Sequence, residues 1–341
     1  MIEVNRQWLL ARRPRGLLRE DDFAWHERPP PEPARGQALV RNLCLSCDPT
    51  QHSWAAGATY FPAVRVGEVM RSFAVGEVVR SNDPQYRPGQ LLQGLFGWQD
   101  YALTEREPMF PTLTVPSDVT IEQALSVLGN NGITAYFGLL DVGRAREGET
   151  VVVSAAAGAT GSVVGQIAKL IGCRVVGITG GATKCAYVRD VLGFDEAVDY
   201  KAENVVTRLR QACPRGIDLY FDNVGGRILE AALANLALRG RVVVCGAISG
   251  YDVPGGPPGP RNYMRLLTMR GRMEGFVVVD YMARAAEALV ALTGWLRAGK
   301  LRSAVDVQYG LERVPVLMGR LFRGQNVGKQ LVRIAEAGRR S

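Results

Sequence analysis

Hydrophobic and polar positions along this chain follow two different periods, and the change falls near residue 121. Before it, short β-like runs at 38–43, 75–80, 90–94 and 101–104 are broken by Pro and Gly. That spacing predicts a compact, mostly antiparallel, barrel-like domain. The Pro29-Pro30-Pro31-Glu32-Pro33 stretch reads as a stiff surface connector. After the change, strands at 151–154, 174–178, 196–199, 219–223 and 242–246 alternate with helical stretches, as the right-handed crossovers of a parallel sheet require. A later strand at 275–279 extends that sheet, and 283–298 has helical periodicity. The last segment, with strand 304–309, helix 314–323 and strand 329–334, returns to the first domain. The predicted class is α/β, with a mostly-β domain (1–125 and 299–341) interrupted by a doubly wound parallel-sheet domain (126–298).

Residues 150–184 carry the most specific local signal. The β-branched run Val151 to Val153 suits a strand buried on both faces, and Gly158, Gly161 and Gly165 punctuate the turn and the helix start that follow. The first glycine permits a tight turn, the second lets backbone N–H groups approach a pyrophosphate, and the third lets the helix lie close to the sheet. The helix start adds unpaired N–H groups and a positive dipole end. Val163, Val164, Ile167, Ala168, Leu170 and Ile171 mark the buried stripe of that helix. Strand, glycine turn, helix and strand in this order predict a dinucleotide site.

The second strand of the unit ends in Ile178-Thr179-Gly180-Gly181-Ala182-Thr183-Lys184, without the Asp or Glu that would select a ribose 2′-hydroxyl. Small residues leave room for a 2′-phosphate, and Lys184 offers it a compact cation, so NADPH is expected over NADH. The alternative for Lys184 is a solvated lysine on a helix face.

Composition narrows the class without naming a chemistry. The chain has 341 residues, 47% hydrophobic and 22% charged, enough for two domains with their own cores. It has no apolar stretch of membrane-spanning length and its start lacks a signal-peptide pattern, so a cytoplasmic location is expected. Six cysteines lie scattered through hydrophobic segments, as in a reduced compartment. The net charge of +8 is dispersed apart from short clusters such as Arg12-Arg13 and Arg339-Arg340, so nucleic acid and membrane are not expected partners.

Longer motifs point to a family. Asn5-Arg6-Gln7, Asp48-Pro49 followed by Gly67-Glu68-Val69-Met70, the run Gly132-Ile133-Thr134-Ala135-Tyr136-Phe137-Gly138-Leu139 and Ala155-Ala156-Ala157-Gly158 are four of them. Phe221-Asp222-Asn223-Val224-Gly225-Gly226, Cys245-Gly246-Ala247-Ile248-Ser249 and Gly324-Gln325-Asn326-Val327-Gly328-Lys329 complete the set. Over nearly the whole chain they resemble the zinc-independent medium-chain dehydrogenase/reductases, in the branch of prostaglandin/leukotriene, curcumin and alkenal double-bond reductases. The resemblance implies a GroES-like catalytic domain interrupted by a Rossmann domain, with the site in the cleft between them. It implies NADPH-dependent reduction of the C=C bond of an α,β-unsaturated aldehyde or ketone, and the family's members are commonly homodimers.

The alcohol-oxidising relatives of that branch hold a catalytic metal with a Cys, a Gly-His-Glu and a further Cys or Asp, whereas the matching stretch here is Val66-Gly67-Glu68-Val69. Cys44-x-x-Cys47 with His52 is a weak alternative, because the chain has only two histidines and lacks a four-cysteine lobe. No metal site is expected, which leaves carbonyl polarisation to hydrogen-bond donors.

The resemblance implies that Gly158, Ala159, Thr160 and Gly161 sit under the pyrophosphate, with Lys184 and Tyr200 at the adenosine phosphate end and Gly181 between them. It implies that Cys245, Ala247 and Ile248, and Phe276, Val277 and Val278, bracket the nicotinamide. Asn131, Thr134, Asn223 and Asn326 join them as cofactor contacts. Asn223 capping a turn, and 276–278 as a plain buried strand, are the alternatives. Asn130-Asn131 departs from the hydrophobic or small residues usual there; these amides are placed to meet the nicotinamide or the substrate, and a loop turn is the alternative.

Hydride transfer to the β-carbon leaves negative charge on the carbonyl oxygen, which a tyrosine hydroxyl or the cofactor ribose would stabilise. The tyrosine that the family places before the 272–276 segment is replaced by Thr268. Tyr60 and Tyr251 are the favoured substrate contacts, with packing or surface roles as alternatives. The glycine- and proline-rich segment 250–260 is expected to act as a lid. A quinone or carbonyl reductase on the same fold, or a non-catalytic cofactor-bound protein, are the competing functions.

Overall fold

The computed structural model describes residues 4–57, 59–105, 109–251, 253 and 258–337. Packing divides them into two units, 1–125 with 305–341, and 126–304.

In the first unit β1 (Asn5–Leu10) pairs antiparallel with β2 (Phe23–Arg28). The hydrophobic pattern missed this hairpin because polar Asn5 and Gln7 occupy buried positions. Partners across the unit satisfy them: Asn5 Nδ2 donates to the Tyr101 carbonyl at 2.9 Å, and Gln7 Nε2 donates to Gln99 Oε1. β3 (Ala38–Ser46) follows and is buried almost end to end. Then come α1 (Thr50–Ala56), β4 (Ala74–Ser81), β5 (Leu91–Gly94), β6 (Tyr101–Leu103), β7 (Leu113–Thr114) and α2 (Ile121–Leu125).

The second unit opens with α3 (Asn130–Phe137) and β8 (Thr150–Ser154), followed by α4 (Ala159–Leu170) and β9 (Arg174–Thr179). Next are α5 (Ala182–Ala186), β10 (Glu196–Asp199), α6 (Val205–Ala212), β11 (Ile217–Asp222), α7 (Gly226–Ala234) and β12 (Leu236–Val244). It closes with α8 (Met264–Met269), β13 (Arg272–Gly275) and α9 (Ala285–Arg297). The strands form one parallel sheet in the order β10-β9-β8-β11-β12-β13. Every residue of β8 is buried, as its β-branched run predicts for the centre of such a sheet. Val152, Val176, Leu209, Tyr220 and Leu233 belong to one hydrophobic cluster against a sheet face, each side chain of this size worth about 1.5–3 kcal/mol when buried. The strand order reverses between β8 and β11, the position where open α/β sheets bind ligands at their carboxyl ends.

The strand expected at 275–279 is displaced. β13 ends at Gly275, and Val278–Arg284 forms a 3-10 helix instead. Phe276 leaves the sheet to pack beside Phe221 and Tyr281, over Gly138, where an added Cβ would lie 2.5 Å from its ring. Aromatic packing into that notch outweighs the β propensity of the three valines that follow. Residues 299–304, expected in the returning segment, stay with the second unit. Leu301 is buried, Arg302 N donates to Gln166 Oε1 at 2.8 Å, and the Ser126 and Ser303 hydroxyls lie 2.6 Å apart. Part of the expected lid, residues 252 and 254–257, and the Arg339-Arg340 cluster lie outside the described residues.

The chain re-enters the first unit as β14 (Val305–Tyr309), α10 (Val314–Phe322) and β15 (Lys329–Arg333). The sheet there runs β14-β15-β3-β4-β5-β7, with β6 also on β3, and is antiparallel except for the β14–β15 pair. Among the described residues no helix is long and apolar enough to cross a membrane.

Candidate cofactor and substrate site

The glycine turn after β8 is built differently from the simplest expectation. Gly158 has φ −90°, and the left-handed residue is Ala155, at φ +49°. The tight turn therefore falls on an alanine, and Gly158 serves as the N-cap of α4, donating its N–H to the Ala155 carbonyl at 2.8 Å. Gly161 presses on the same carbonyl, with a Cβ placed 2.4 Å from it. Gly165 makes room for a side chain and not for a strand: a Cβ there would lie 1.8 Å from the ring of Phe194, which precedes β10. No side chain caps the start of α4, so its first N–H groups keep the polarity that favours an anion. Asn131 Nδ2 donates to Thr160 Oγ1 at 3.2 Å and brings α3 against this turn, while Thr134 Oγ1 donates to the Asn130 carbonyl at 2.7 Å.

At the ends of β9 and β10, Gly181 has φ +95° and its N–H donates to Asp199 Oδ1 at 2.8 Å. The same oxygen accepts from Lys201 N at 3.0 Å, and the Gly181 N–H leads the causes that hold the Asp199 carboxyl below its usual range. An acid therefore stands near the turn after β9, although none ends that strand, and its Oδ1 is taken by backbone donors. Sequence reasoning missed it because it belongs to the neighbouring strand. Tyr200 is exposed and its ring covers Gly180, where a Cβ would lie 2.8 Å away. Half-buried Lys184 sits in α5, four residues beyond that glycine.

At the carboxyl end of β11 the Asn223 side chain is a structural tie: Nδ2 donates to the Ser154 carbonyl at 2.8 Å and its backbone N–H to Ser154 Oγ at 2.9 Å. Buried Asp222 was not singled out from sequence. Its Oδ1 accepts from Tyr220 OH at 2.8 Å, Gly225 N at 2.9 Å and Val224 N at 3.0 Å, and burial pushes its carboxyl up against those bonds. Its carbonyl accepts from Cys245 N and Gly246 N, which starts the 245–248 segment beside Asn223. Ile248 N donates to the Asn223 carbonyl at 3.3 Å, and a Cβ on Gly246 would lie 3.1 Å from Tyr251 OH. Cys245, Ala247, Ile248 and Tyr251 thus gather at one end of the sheet. Phe276, Val277 and Val278 follow β13, off the sheet as described.

The first unit holds the other two predicted residues. Tyr60 is 43% exposed and its hydroxyl lies 3.4 Å from Thr50 Oγ1, at the start of α1. Asn326 Nδ2 donates to the Gly328 carbonyl at 2.8 Å, just ahead of β15. Cys44 and Cys47 are buried, and burial pushes both thiols up to about 12. His52 Nε2 lies 2.7 Å from the Gly16 carbonyl and its ring packs on Phe322. Among the described residues no group of three or more His, Cys, Asp or Glu side chains is arranged to hold a metal ion.

Residues 6–112 match the family described as N-terminal domain of oxidoreductase, and residues 159–293 the family described as zinc-binding dehydrogenase. The chain is 40% identical over 337 residues to the NADPH-dependent curcumin reductase of Escherichia coli, with 97% of each chain covered. It belongs to the zinc-independent medium-chain dehydrogenase/reductases. A second relative in this family is the 2-alkenal reductase (NADP(+)-dependent) of Nicotiana tabacum, 40% identical over 304 residues and 87% of each chain. The crystal structure of CurA in complex with NADPH from Vibrio vulnificus superposes with a TM-score of 0.91 at 39% identity, covering 97% of this chain and 99% of that one. As a member of this family the chain is an oxidoreductase with a GroES-like domain and a Rossmann domain.

Proposed function

We propose that this protein is an NADPH-dependent reductase of the C=C bond in α,β-unsaturated aldehydes and ketones. The observation that carries the reading is the second unit's ligand edge, where the uncapped start of α4, the Gly181 turn and the 245–251 segment lie at the carboxyl ends of strands flanking the switch point. Relatives named as curcumin, 2-alkenal and (+)-pulegone reductases support the choice of substrate class. The residues fit the cofactor: Gly161 leaves no side chain over the turn, and Gly181, where an added Cβ would meet nothing within 4 Å, leaves space for a 2′-phosphate ahead of Lys184, whose N–H donates to the Gly181 carbonyl.

Bound NADPH supplies a hydride for the β-carbon. The chain's own part is to hold the diphosphate on the α4 N–H groups and the phosphate end at Lys184 and Tyr200. Cys245, Ala247, Ile248, Phe276, Val277 and Val278 bracket the nicotinamide, and Asn131, Thr134, Asn223 and Asn326 supply polar contacts. The hydroxyl of Tyr60 or Tyr251 donates to the carbonyl oxygen as charge develops, a preorganised donor worth roughly 3–4 kcal/mol in comparable sites. The α-carbon then takes a proton from that hydroxyl or from water. The domain limits read from sequence, 1–125, 126–298 and 299–341, differ from the packed units only at 299–304. The same reading makes the enzyme a cytoplasmic homodimer, in keeping with cysteines that are all free. β13 ends the sheet with exposed Met273, and α8 carries exposed Met264 and Leu267, apolar surface suited to a second copy. Light scattering on the purified chain tests this, a monomer at micromolar concentration contradicting it.

Following NADPH oxidation with a panel of enals, enones and quinones, with product identification, tests the function. Turnover confined to quinones would replace it by the quinone reductase alternative.

A further inference from the structure

From the first turn of α3 we infer that Asn130 is a cofactor-recognition residue, whose side-chain oxygen accepts a hydrogen bond from the nicotinamide–ribose half of NADPH. The inference rests on the proposed function and adds to it a residue outside the family pattern. Asn130 Oδ1 is buried and has no hydrogen-bond partner, and among the described residues the side chain as a whole makes no hydrogen bond. Other carboxamides with an unpaired buried oxygen are anchored at their nitrogen, Asn42 on the Gln99 carbonyl at 2.8 Å and Asn262 on the Glu230 carbonyl at 2.8 Å. Asn130 has no such anchor. A buried acceptor without a donor destabilises the protein that carries it, and a ligand that brings the donor recovers the loss.

Its surroundings say which ligand. The next residue, Asn131, is bonded to Thr160 in the first turn of α4, where the diphosphate is expected. From there α3 leads toward the β11–β13 side of the switch point: Gly138 lies against Phe221 and Phe276, Arg272 Nη2 donates to the Val142 carbonyl at 2.7 Å, and Arg241 Nε to the Gly143 carbonyl at 2.7 Å. Lys184 and Tyr200 lie on the opposite, β9–β10 side. A dinucleotide with its phosphate end there extends its nicotinamide half toward α3. The donors on that half are the carboxamide N–H and the ribose hydroxyls, whereas a simple enone carries no donor and cannot satisfy Oδ1.

Replacing Asn130 by Leu in the full-length protein removes the unpaired oxygen at similar volume. The expected result is a pair of opposite changes: a Tm higher by about 2–4 °C, and NADPH binding about tenfold weaker by fluorescence titration. Asn130→Ala gives the same two readings should leucine not fit. 2′-Phospho-ADP-ribose, which lacks the nicotinamide, separates the donors. If its binding is unchanged the donor is the carboxamide, and if it weakens alongside NADPH the donor is a ribose hydroxyl. A folded variant with unchanged NADPH affinity overturns the inference, whether Tm rises or falls, and so does an effect confined to the KM of the enone. A wild-type protein that binds no NADPH would instead refute the proposed function, so the two failures are distinct.

Discussion

Lys329 and Asp48 form an ion pair with 1% and 8% of their side chains exposed, joining β15 to the segment that leads into α1. Lys329 Nζ also donates to the Cys47 carbonyl at 3.1 Å, and Ser46 Oγ donates to Asp48 Oδ2. A buried pair of this kind does not by itself add much stability, but stranding one partner is costly. Lys329→Met should destabilise the protein by about 3–5 kcal/mol in chemical denaturation. Adding Asp48→Asn should recover much of that loss; a single variant as stable as wild type would contradict the pairing.

Gly165 meets Phe194 closely enough that a methyl group cannot be accommodated without movement. Gly165→Ala should lower stability by about 2 kcal/mol, overpacking outweighing the better helix propensity of alanine. Trimming the ring with Phe194→Leu in the same chain should restore most of it.

Lys184→Ala should weaken NADPH by about 10–100-fold, the range of a charge-assisted contact. NADH, without the 2′-phosphate, should be affected far less. Equal losses for the two cofactors in fluorescence titrations would refute the phosphate assignment.

Asp199 carries a pH signature. Its folded-state pKa is lowered, chiefly by the Gly181 N–H, so its stabilisation is present above the unfolded value of about 3.9 and fades as pH falls through the folded value. The stability difference between wild type and Asp199→Ala should be constant near neutrality and shrink in acid. A difference that grows on acidification would reverse the assigned sign.

The β8–α4–β9 unit was legible in the sequence because a fully buried parallel strand leaves a continuous β-branched run and the glycines recur at fixed offsets. The β1–β2 hairpin was not, because Asn5 and Gln7 are buried through side-chain partners remote in sequence. The 276–278 segment misled for a similar reason: what draws Phe276 off the sheet is the absence of a side chain at Gly138. The tight turn was expected to rest on Gly158, but its left-handed residue is Ala155, a position that composition does not mark. Asp199 acts on a turn of the neighbouring strand, eighteen residues back along the chain, so spacing alone gave no sign of it; Asp222 bonds to Tyr220, Val224 and Gly225 within three residues of itself and was read only as part of a motif. The candidate cofactor positions of the second unit were read from the glycine turn and from family motifs, and the proposed substrate contacts Tyr60 and Tyr251 from resemblance.

The central claim concerns which bond is reduced. Incubating the protein with NADPH and a simple enone, then analysing the product by NMR, tests it most directly. The account predicts a saturated ketone, with the carbonyl retained and hydrogen added across the C=C bond. An allylic alcohol, with the C=C bond intact and the carbonyl reduced, would contradict it.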